Sequence, residues 1–136
     1  MPLICDTSVV YAALVRSDRL HEPCARLLGT RDDVVVPAPV VVEIDGLARS
    51  RGAEGATDAL LRSVVDGSVH VEDMRLPDYA RAQELMTRYA SLLLGFVDAA
   101  IVAVAERLGG TTIATLDHRH FAVVRPRHCE AFTLLP

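Results

Sequence analysis

Four acidic residues stand where apolar or turn-forming residues are usual, and their chemistry suggests a metal site. Asp6 ends an apolar run near the amino end, and Glu43 interrupts a row of valines. Asp98 opens a stretch that is almost free of polar side chains, and Asp117 follows a short β-prone segment. A carboxylate near a core takes up a proton or needs a partner, because its desolvation costs several kcal/mol. Since Mg²⁺ prefers oxygen ligands, the four acids together predict a site for a divalent cation.

Alternating strands and helices would position these acids. Apolar and β-branched runs predict strands over residues 3–5, 34–36, 69–72, 111–116 and 131–134. Helical spacing and capping residues predict helices over residues 9–15, 18–28, 40–51, 53–66, 76–94 and 97–108. The segment 40–51 is ambiguous, since its valines favour a strand, but its place after Pro39 favours a helix. The alternation predicts one domain, residues 1–136, with an α/β fold: a three-layer α/β/α sandwich around a mostly parallel central sheet.

In such a sheet, ligands bind at the carboxyl ends of the strands, where the following helices begin. Asp6 and Asp117 are expected at this edge, although both are also typical capping and turn residues. Asp98 lies in the first turn of a predicted helix, where the helix dipole alone favours an acid. Glu43 has the simplest alternative explanation, an acid on the outer face of an amphipathic helix. The four acids indicate a site only if the fold brings them close together.

The composition narrows the classes of function. About half of the 136 residues are apolar (51%), which suits one compact domain. All 14 basic side chains are arginine, so the lysine that Walker-A phosphate loops and haloacid-dehalogenase-type phosphatases need is missing. Because the net charge is −4, a nucleic acid would be held by the metal and a local arginine patch rather than by a global positive field.

Cysteine usage and hydropathy indicate the compartment. The 3 cysteines have no CxxC spacing, which predicts reduced packing residues rather than a zinc or redox centre. No stretch approaches the roughly 20 apolar residues of a membrane span, and the amino end has no signal-peptide pattern. We therefore expect a cytoplasmic protein with no membrane partner.

Four short segments carry a family resemblance. They read LICDTS over residues 3–8, PVVVE over 39–43, VDAAIVAVA over 97–105, and IATLD over 113–117 followed by HRHF. In order and spacing they resemble the PIN-domain ribonucleases, and more narrowly the VapC-type toxins of bacterial toxin–antitoxin pairs. The resemblance implies a PIN-like fold and an Mg²⁺-dependent endoribonuclease, in which metal-activated water hydrolyses RNA and leaves a 5′-phosphate and a 3′-hydroxyl. It also implies a VapB-type antitoxin, whose tail would cover the acidic cleft, and a homodimer.

The resemblance extends to individual residues. Asp6, Glu43, Asp98 and Asp117 correspond to the family's acidic quartet, which holds one or two Mg²⁺ or Mn²⁺ ions. We expect Asp6 and Asp98 to be the main metal ligands and the other two acids to be outer or second-metal ligands. The hydroxyl positions that often support such a site fall on Thr7, Ser8 and Thr115. Helix capping and β-propensity explain the last two equally well.

Basic side chains near the acids are candidates for substrate binding. Arg16 and Arg119 could bind phosphate, because a guanidinium group does so bidentately. His118 and His120 flank Arg119, but two histidines with no nearby cysteine are more typical of a loop than of a zinc or general-acid site.

Other functions stay open at this point. A PIN-like domain that binds RNA or a protein without cleavage would keep the acids as a vestigial site. A non-toxin RNA-processing nuclease would use the same acids on another substrate. An RNase-H-like nuclease also uses four acids, but that fold usually opens with an antiparallel meander, whereas this chain passes from its first strand directly into a helix.

Overall fold

The computed structural model describes residues 1–136 and contains seven α-helices and five β-strands. The strands are β1 (Leu3–Cys5), β2 (Val34–Pro37), β3 (His70–Glu72), β4 (Thr112–Ala114) and β5 (Thr133–Leu135). The helices are α1 (Thr7–Leu14), α2 (His21–Gly29), α3 (Ala38–Arg51), α4 (Gly55–Val65), α5 (Leu76–Arg88), α6 (Phe96–Leu108) and α7 (His118–Val123). The ambiguous segment after Pro39 is thus helical, as predicted.

All five strands are parallel, in the order β3-β2-β1-β4-β5. β1 lies in the middle, where Ile4 pairs with Val35 of β2 on one side and with Ile113 of β4 on the other. Every residue of β1 and β2 is buried, which explains their continuous apolar sequences. From β1 the chain first moves outward to β2 and β3, and then returns to β4 on the other side. The carboxyl ends of β1 and β4 therefore flank the switch point at which open α/β sheets bind ligands.

The helices pack in two groups, α1 with α2, α3 and α4, and α5 with α6. α6 is the most deeply buried helix, because every residue from Ala99 to Ala105 is buried, as its almost wholly apolar sequence predicts. None of the helices combines the length and the apolar character needed to cross a membrane. The predicted α/β fold is confirmed, and its sheet is wholly rather than mostly parallel.

The long helix predicted over residues 76–94 is shorter in the structure. α5 ends at Arg88, because Tyr89 leaves the helical conformation with φ −105° and ψ 33°. A 3₁₀ turn follows over Ala90–Leu92, and Leu93 then takes a left-handed conformation with φ 56°. This irregular turn leads the chain into α6.

α7 replaces a segment that the sequence predicts as a loop. Asp117 is its N-cap, with Oδ1 accepting a hydrogen bond from the N–H of Arg119 at 3.1 Å. The inner side of α7 packs through Phe121, which is 1% exposed. A helix of six residues is too short to be stable alone, so this packing accounts for its presence.

Candidate metal centre

Asp6 joins the end of β1 to the start of α1, because it is the N-cap of that helix. Its Oδ1 accepts a hydrogen bond from the N–H of Thr7 at 2.7 Å, and its own N–H donates to the carbonyl of Ala114 on β4 at 2.9 Å. The residue is 6% exposed. Asp6 is therefore fixed between β1 and β4, at the switch point of the sheet.

Two hydroxyl groups hold the second carboxylate oxygen of Asp6. The fully buried Thr115 donates from Oγ1 to Asp6 Oδ2 at 2.8 Å, and Ser8 donates from Oγ at 3.1 Å. Ser8 Oγ also accepts a hydrogen bond from the N–H of Leu116 at 3.0 Å, which ties α1 to the end of β4. Thr7 contacts Asp6 only through its backbone, and its buried hydroxyl has no hydrogen-bond partner. The structure thus brings two of the three predicted hydroxyl groups onto Asp6.

Asp98 lies in the first turn of α6 and contacts His120 of α7. Asp98 Oδ2 and His120 Nδ1 are 2.6 Å apart, and both side chains are largely shielded from solvent. The interpretation of this segment as a loop is therefore wrong, and His120 contacts one of the predicted metal ligands. A signal was present in the sequence, because Asp117 is a favoured helix N-cap and Phe121 supplies an apolar anchor for a short helix.

The electrostatics of Asp6 depend on its burial. Burial raises the pKa of the Asp6 carboxyl above its ordinary value, and the negative charge of Asp98 acts in the same direction. The hydrogen bonds from Thr115, from the N–H of Thr7 and from Ser8 act in the opposite direction, but they do not overcome the burial. Asp6 and Asp98 are thus close enough to repel each other, and no positive side chain compensates Asp6.

Asp117 and Glu43 lie at the rim of this pair. Asp117 is exposed, and its N–H donates to Thr115 Oγ1 at 3.0 Å, so one residue links it to Asp6. Glu43 is exposed on α3 and lines an apolar groove of about 740 Å³ together with Val97 of α6. The structure therefore links Asp117 closely to the centre and leaves Glu43 at its edge.

The donor set fits Mg²⁺, although the four-acid cage is not preassembled. No group of three acids, histidines or cysteines is close enough together to hold a metal ion. Mg²⁺ is usually held by one or two carboxylates, while waters and substrate phosphate complete its octahedral shell. Asp6 and Asp98 provide such a carboxylate pair, and a cation would relieve their repulsion.

The two arginines predicted to bind phosphate lie in different places. Arg119 is exposed in the first turn of α7, directly beside Asp117. Arg16 is exposed beyond the carboxyl end of α1, and α1 spans eight residues, or about 12 Å, from Asp6. The structure thus brings Arg119 to the acids and leaves Arg16 one helix length away.

Comparisons with known proteins identify the family of the chain. The PIN domain family matches residues 3–125, a range that includes all four acids. Ribonuclease VapC26 of Mycobacterium tuberculosis is 32% identical over 135 residues, which cover 98% of this chain and 100% of that protein. The crystal structure of Mycobacterium tuberculosis VapC20, described as a sarcin-ricin loop cleaving toxin, shares the fold with a TM-score of 0.77. It is 24% identical and covers 85% of this chain and 90% of that one. The chain therefore belongs to the PIN-domain family, as its sequence predicts.

Proposed function

We propose that the chain is an Mg²⁺-dependent endoribonuclease and the toxin of a type II toxin–antitoxin pair, acting in the cytoplasm. The observation that carries this proposal is the buried carboxylate of Asp6 beside Asp98, at the switch point of the sheet. Membership of the PIN-domain family and the similarity to a VapC ribonuclease support RNA as the substrate.

Asp6 and Asp98 hold the cation in this proposal, and Mn²⁺ can replace Mg²⁺. Asp117 and Glu43 contribute from the rim as outer or second-metal ligands. When bound, the cation lowers the pKa of a water molecule and stabilises the charge that develops on the phosphate during hydrolysis. The contribution of the chain is positional, because the hydroxyl groups on Asp6 and the imidazole on Asp98 fix both carboxylates before substrate arrives.

The substrate is held by arginine as well as by the cation. Arg119 binds the phosphate next to the scissile bond, which its place beside Asp117 supports. Arg16 contacts a more distant phosphate, on a strand that runs along α1.

Two protein partners belong to the proposal, a VapB-type antitoxin and a second copy of this chain. Family membership supports the antitoxin. The apolar groove beside Glu43 supports the homodimer, because Val42, Tyr79 and Phe96 line it and are 74%, 53% and 40% exposed. Exposed apolar side chains that cluster in this way mark interaction surfaces. Light scattering should therefore detect a dimer that Val42→Glu dissociates, and a monomeric wild-type chain would contradict this part of the proposal.

RNA cleavage by the purified chain in Mg²⁺ tests the nuclease proposal. Asp98→Asn and Asp6→Ala should each abolish cleavage, because each removes one half of the carboxylate pair. Circular dichroism and the unfolding midpoint should show that both variants remain folded. Asp58→Asn is a matched control, since Asp58 is an exposed acid on α4.

An active Asp98→Asn variant, or cleavage that persists in EDTA, would contradict the metal-dependent mechanism. Calorimetry with Mn²⁺ separates a nuclease from a binding module. A chain that binds RNA but neither holds Mn²⁺ nor cuts would be a PIN-like binding module instead.

A further inference from the structure

We propose that a basic concavity beside the metal centre binds the sugar–phosphate backbone of the RNA strand that enters this centre. The basic concavity lies between α5 and the segment after α7, and has a volume of about 680 Å³. Apart from Pro126, its lining side chains are polar or charged, and they include four arginines, which are Arg81, Arg88, Arg125 and Arg127. The inference rests on the proposed function, because it takes RNA to be the substrate.

Two of the four arginines have no carboxylate partner. Arg81 and Arg127 are paired with glutamates at 2.8 and 2.6 Å. Arg88 and Arg125 are exposed and take part in none of the ion pairs of the structure. The concavity therefore has an excess of positive charge on a chain whose net charge is −4. An arginine cluster on one face is the electrostatic footprint of a surface that binds nucleic acid.

One tyrosine contacts both unpaired arginines, through the side chain of Arg88 and the backbone of Arg125. The guanidinium of Arg88 lies over the ring of Tyr89, with 5.7 Å between its central carbon and the ring centroid. The hydroxyl of Tyr89 accepts a hydrogen bond from the N–H of Arg125 at 2.9 Å. Pro126, which follows, is buried and fixes the segment further. Tyr89 thus holds the guanidinium of Arg88 and the backbone of Arg125 against one residue.

α7 connects the metal centre to the basic concavity. His120, in this helix, contacts Asp98, and Arg125, two residues beyond its end, contacts Tyr89. The helix has six residues, so it spans about 9 Å. An RNA strand with one phosphate at the metal centre therefore has its neighbouring phosphates within reach of the concavity.

The lining favours the backbone of the strand over its bases. It offers guanidinium groups and the hydroxyl of Thr87, but it contains no aromatic ring on which a base could stack. Contacts to phosphate position a strand and carry no sequence information. The contribution of the basic concavity should therefore be independent of base sequence and strongly dependent on salt.

A binding measurement without cleavage tests this inference. The wild-type chain and the double variant R88Q/R125Q are titrated in EDTA against a labelled single-stranded RNA of about twelve nucleotides, a length within the range of known single-strand sites. Fluorescence anisotropy gives Kd at several salt concentrations. The matched control is R19Q/R26Q, which removes the same charge from two exposed arginines on and next to α2.

We expect R88Q/R125Q to weaken binding about tenfold and to reduce the slope of log Kd against log salt by about 1.4, or about 0.7 for each lost phosphate contact. The control should change neither quantity. R88K/R125K should keep the salt slope, because it keeps both charges. With Mg²⁺ present, R88Q/R125Q should raise KM for the same RNA and leave kcat and the cleavage of a dinucleotide unchanged.

Equal Kd values for R88Q/R125Q and the control would overturn the inference. The inference would also be overturned if R88Q/R125Q lost binding to poly-glutamate but bound RNA as the wild type does. The concavity would then serve an acidic protein partner. The nuclease proposal is tested separately. If the wild-type chain binds RNA with this salt dependence but does not cut it in Mg²⁺, the inference about the basic concavity is supported and the nuclease proposal is contradicted.

Discussion

The carboxylate of Asp6 is buried with no positive side chain beside it, and the charge of Asp98 adds to the cost of keeping it ionised. Three hydrogen bonds offset part of this cost. The folded chain therefore holds a carboxyl group in a place where a bound cation would favour its ionised form. At the scale of single residues, this is the feature from which the chemistry of the site follows.

The first prediction concerns stabilisation by the cation. At ten times its Kd, Mg²⁺ should stabilise the wild-type chain by about 1.4 kcal/mol, because it binds only the folded state. Asp6→Asn should lose this stabilisation, while the exposed Asp58→Asn should keep it. Urea unfolding with and without Mg²⁺ measures the difference. An Asp6→Asn variant that Mg²⁺ stabilises as strongly as the wild type would show that the ion binds elsewhere.

The second prediction concerns the imidazole that holds Asp98. His120→Ala should weaken Mn²⁺ binding, measured by calorimetry, by about 10- to 100-fold, as is typical when the partner of a metal ligand is removed. His118→Ala is the matched control, since His118 lies on the same helix and is exposed. Equal Mn²⁺ affinities for the two variants would mean that His120 does not position Asp98.

Single residues differed in how far the sequence could predict their roles. Asp6 and Asp98 could be recognised in the sequence, because burying a carboxylate within an apolar segment costs desolvation free energy. Ser8 and Thr115 could equally be a cap and a strand residue, and only the fold shows that their hydroxyls meet on one oxygen. Asp117 and Phe121 could have placed His120 on a short helix, but its contact with Asp98 depends on how α7 packs against α6.

At the scale of elements, one arginine connects three of them. Arg107, in the last turn of α6, donates to Glu72 of β3 at 2.7 Å and to Asp78 of α5 at 3.0 Å. Asp78 is only 3% exposed, and it also accepts a hydrogen bond from the N–H of Arg75 at the start of α5. The edge strand and two helices thus share one partly buried ionic cluster, with Asp78 as its buried member.

The third prediction concerns this cluster. Arg107→Leu should destabilise the chain by about 3–5 kcal/mol, because it leaves the buried carboxylate of Asp78 without its partner. Arg62→Leu is the control, since Arg62 pairs with Asp58 on an exposed helix face and such pairs contribute about 0–1 kcal/mol. The free energy of urea unfolding measures both. A loss in Arg107→Leu no larger than in the control would show that the cluster is not a structural link.

Elements were predicted best where the local pattern alone decides them. The buried strands and α6 have apolar runs that permit few other arrangements. The end of α5 and the whole of α7 depend instead on distant contacts, since Tyr89 bonds to Arg125 and Phe121 packs into the core. Such contacts are absent from any local window of sequence.

At the scale of the whole molecule, the fold class followed from the order of the elements. The strand order could not be derived in this way, because long-range packing decides that the chain passes from β3 at one edge of the sheet to β4 on the other side of β1. That passage places Asp6 and Thr115 side by side, so the local pattern could place Asp6 and Asp117 at one edge of the sheet but could not show which side chains meet there. Glu43 lies exposed on α3, as its alternative explanation, an acid on the outer face of a helix, allows.

The fourth prediction uses the cysteines as reporters of global unfolding. Burial raises the pKa of the Cys5 thiol to about 12, and Cys24 is also fully buried, with a raised pKa. Burial also raises the pKa of Cys129, but this thiol is partly exposed, so iodoacetamide at pH 8 should label only Cys129 in the native chain and all three thiols in guanidinium chloride. Mass spectrometry counts the labels, and Cys129→Ser should stay unlabelled until it unfolds. Native labelling of Cys5 would show that the central strand opens locally.

The hydrogen bond between Asp6 and Thr115 spans 109 positions of the sequence. On the ribosome, the amino-terminal strand emerges long before β4, α7 and His120 have been synthesised. A partly made chain therefore holds Asp6 without the groups that fix it or its neighbour Asp98. If the chain is a ribonuclease, it should gain activity only after residue 120 has left the ribosome, so that no unfinished chain cleaves RNA.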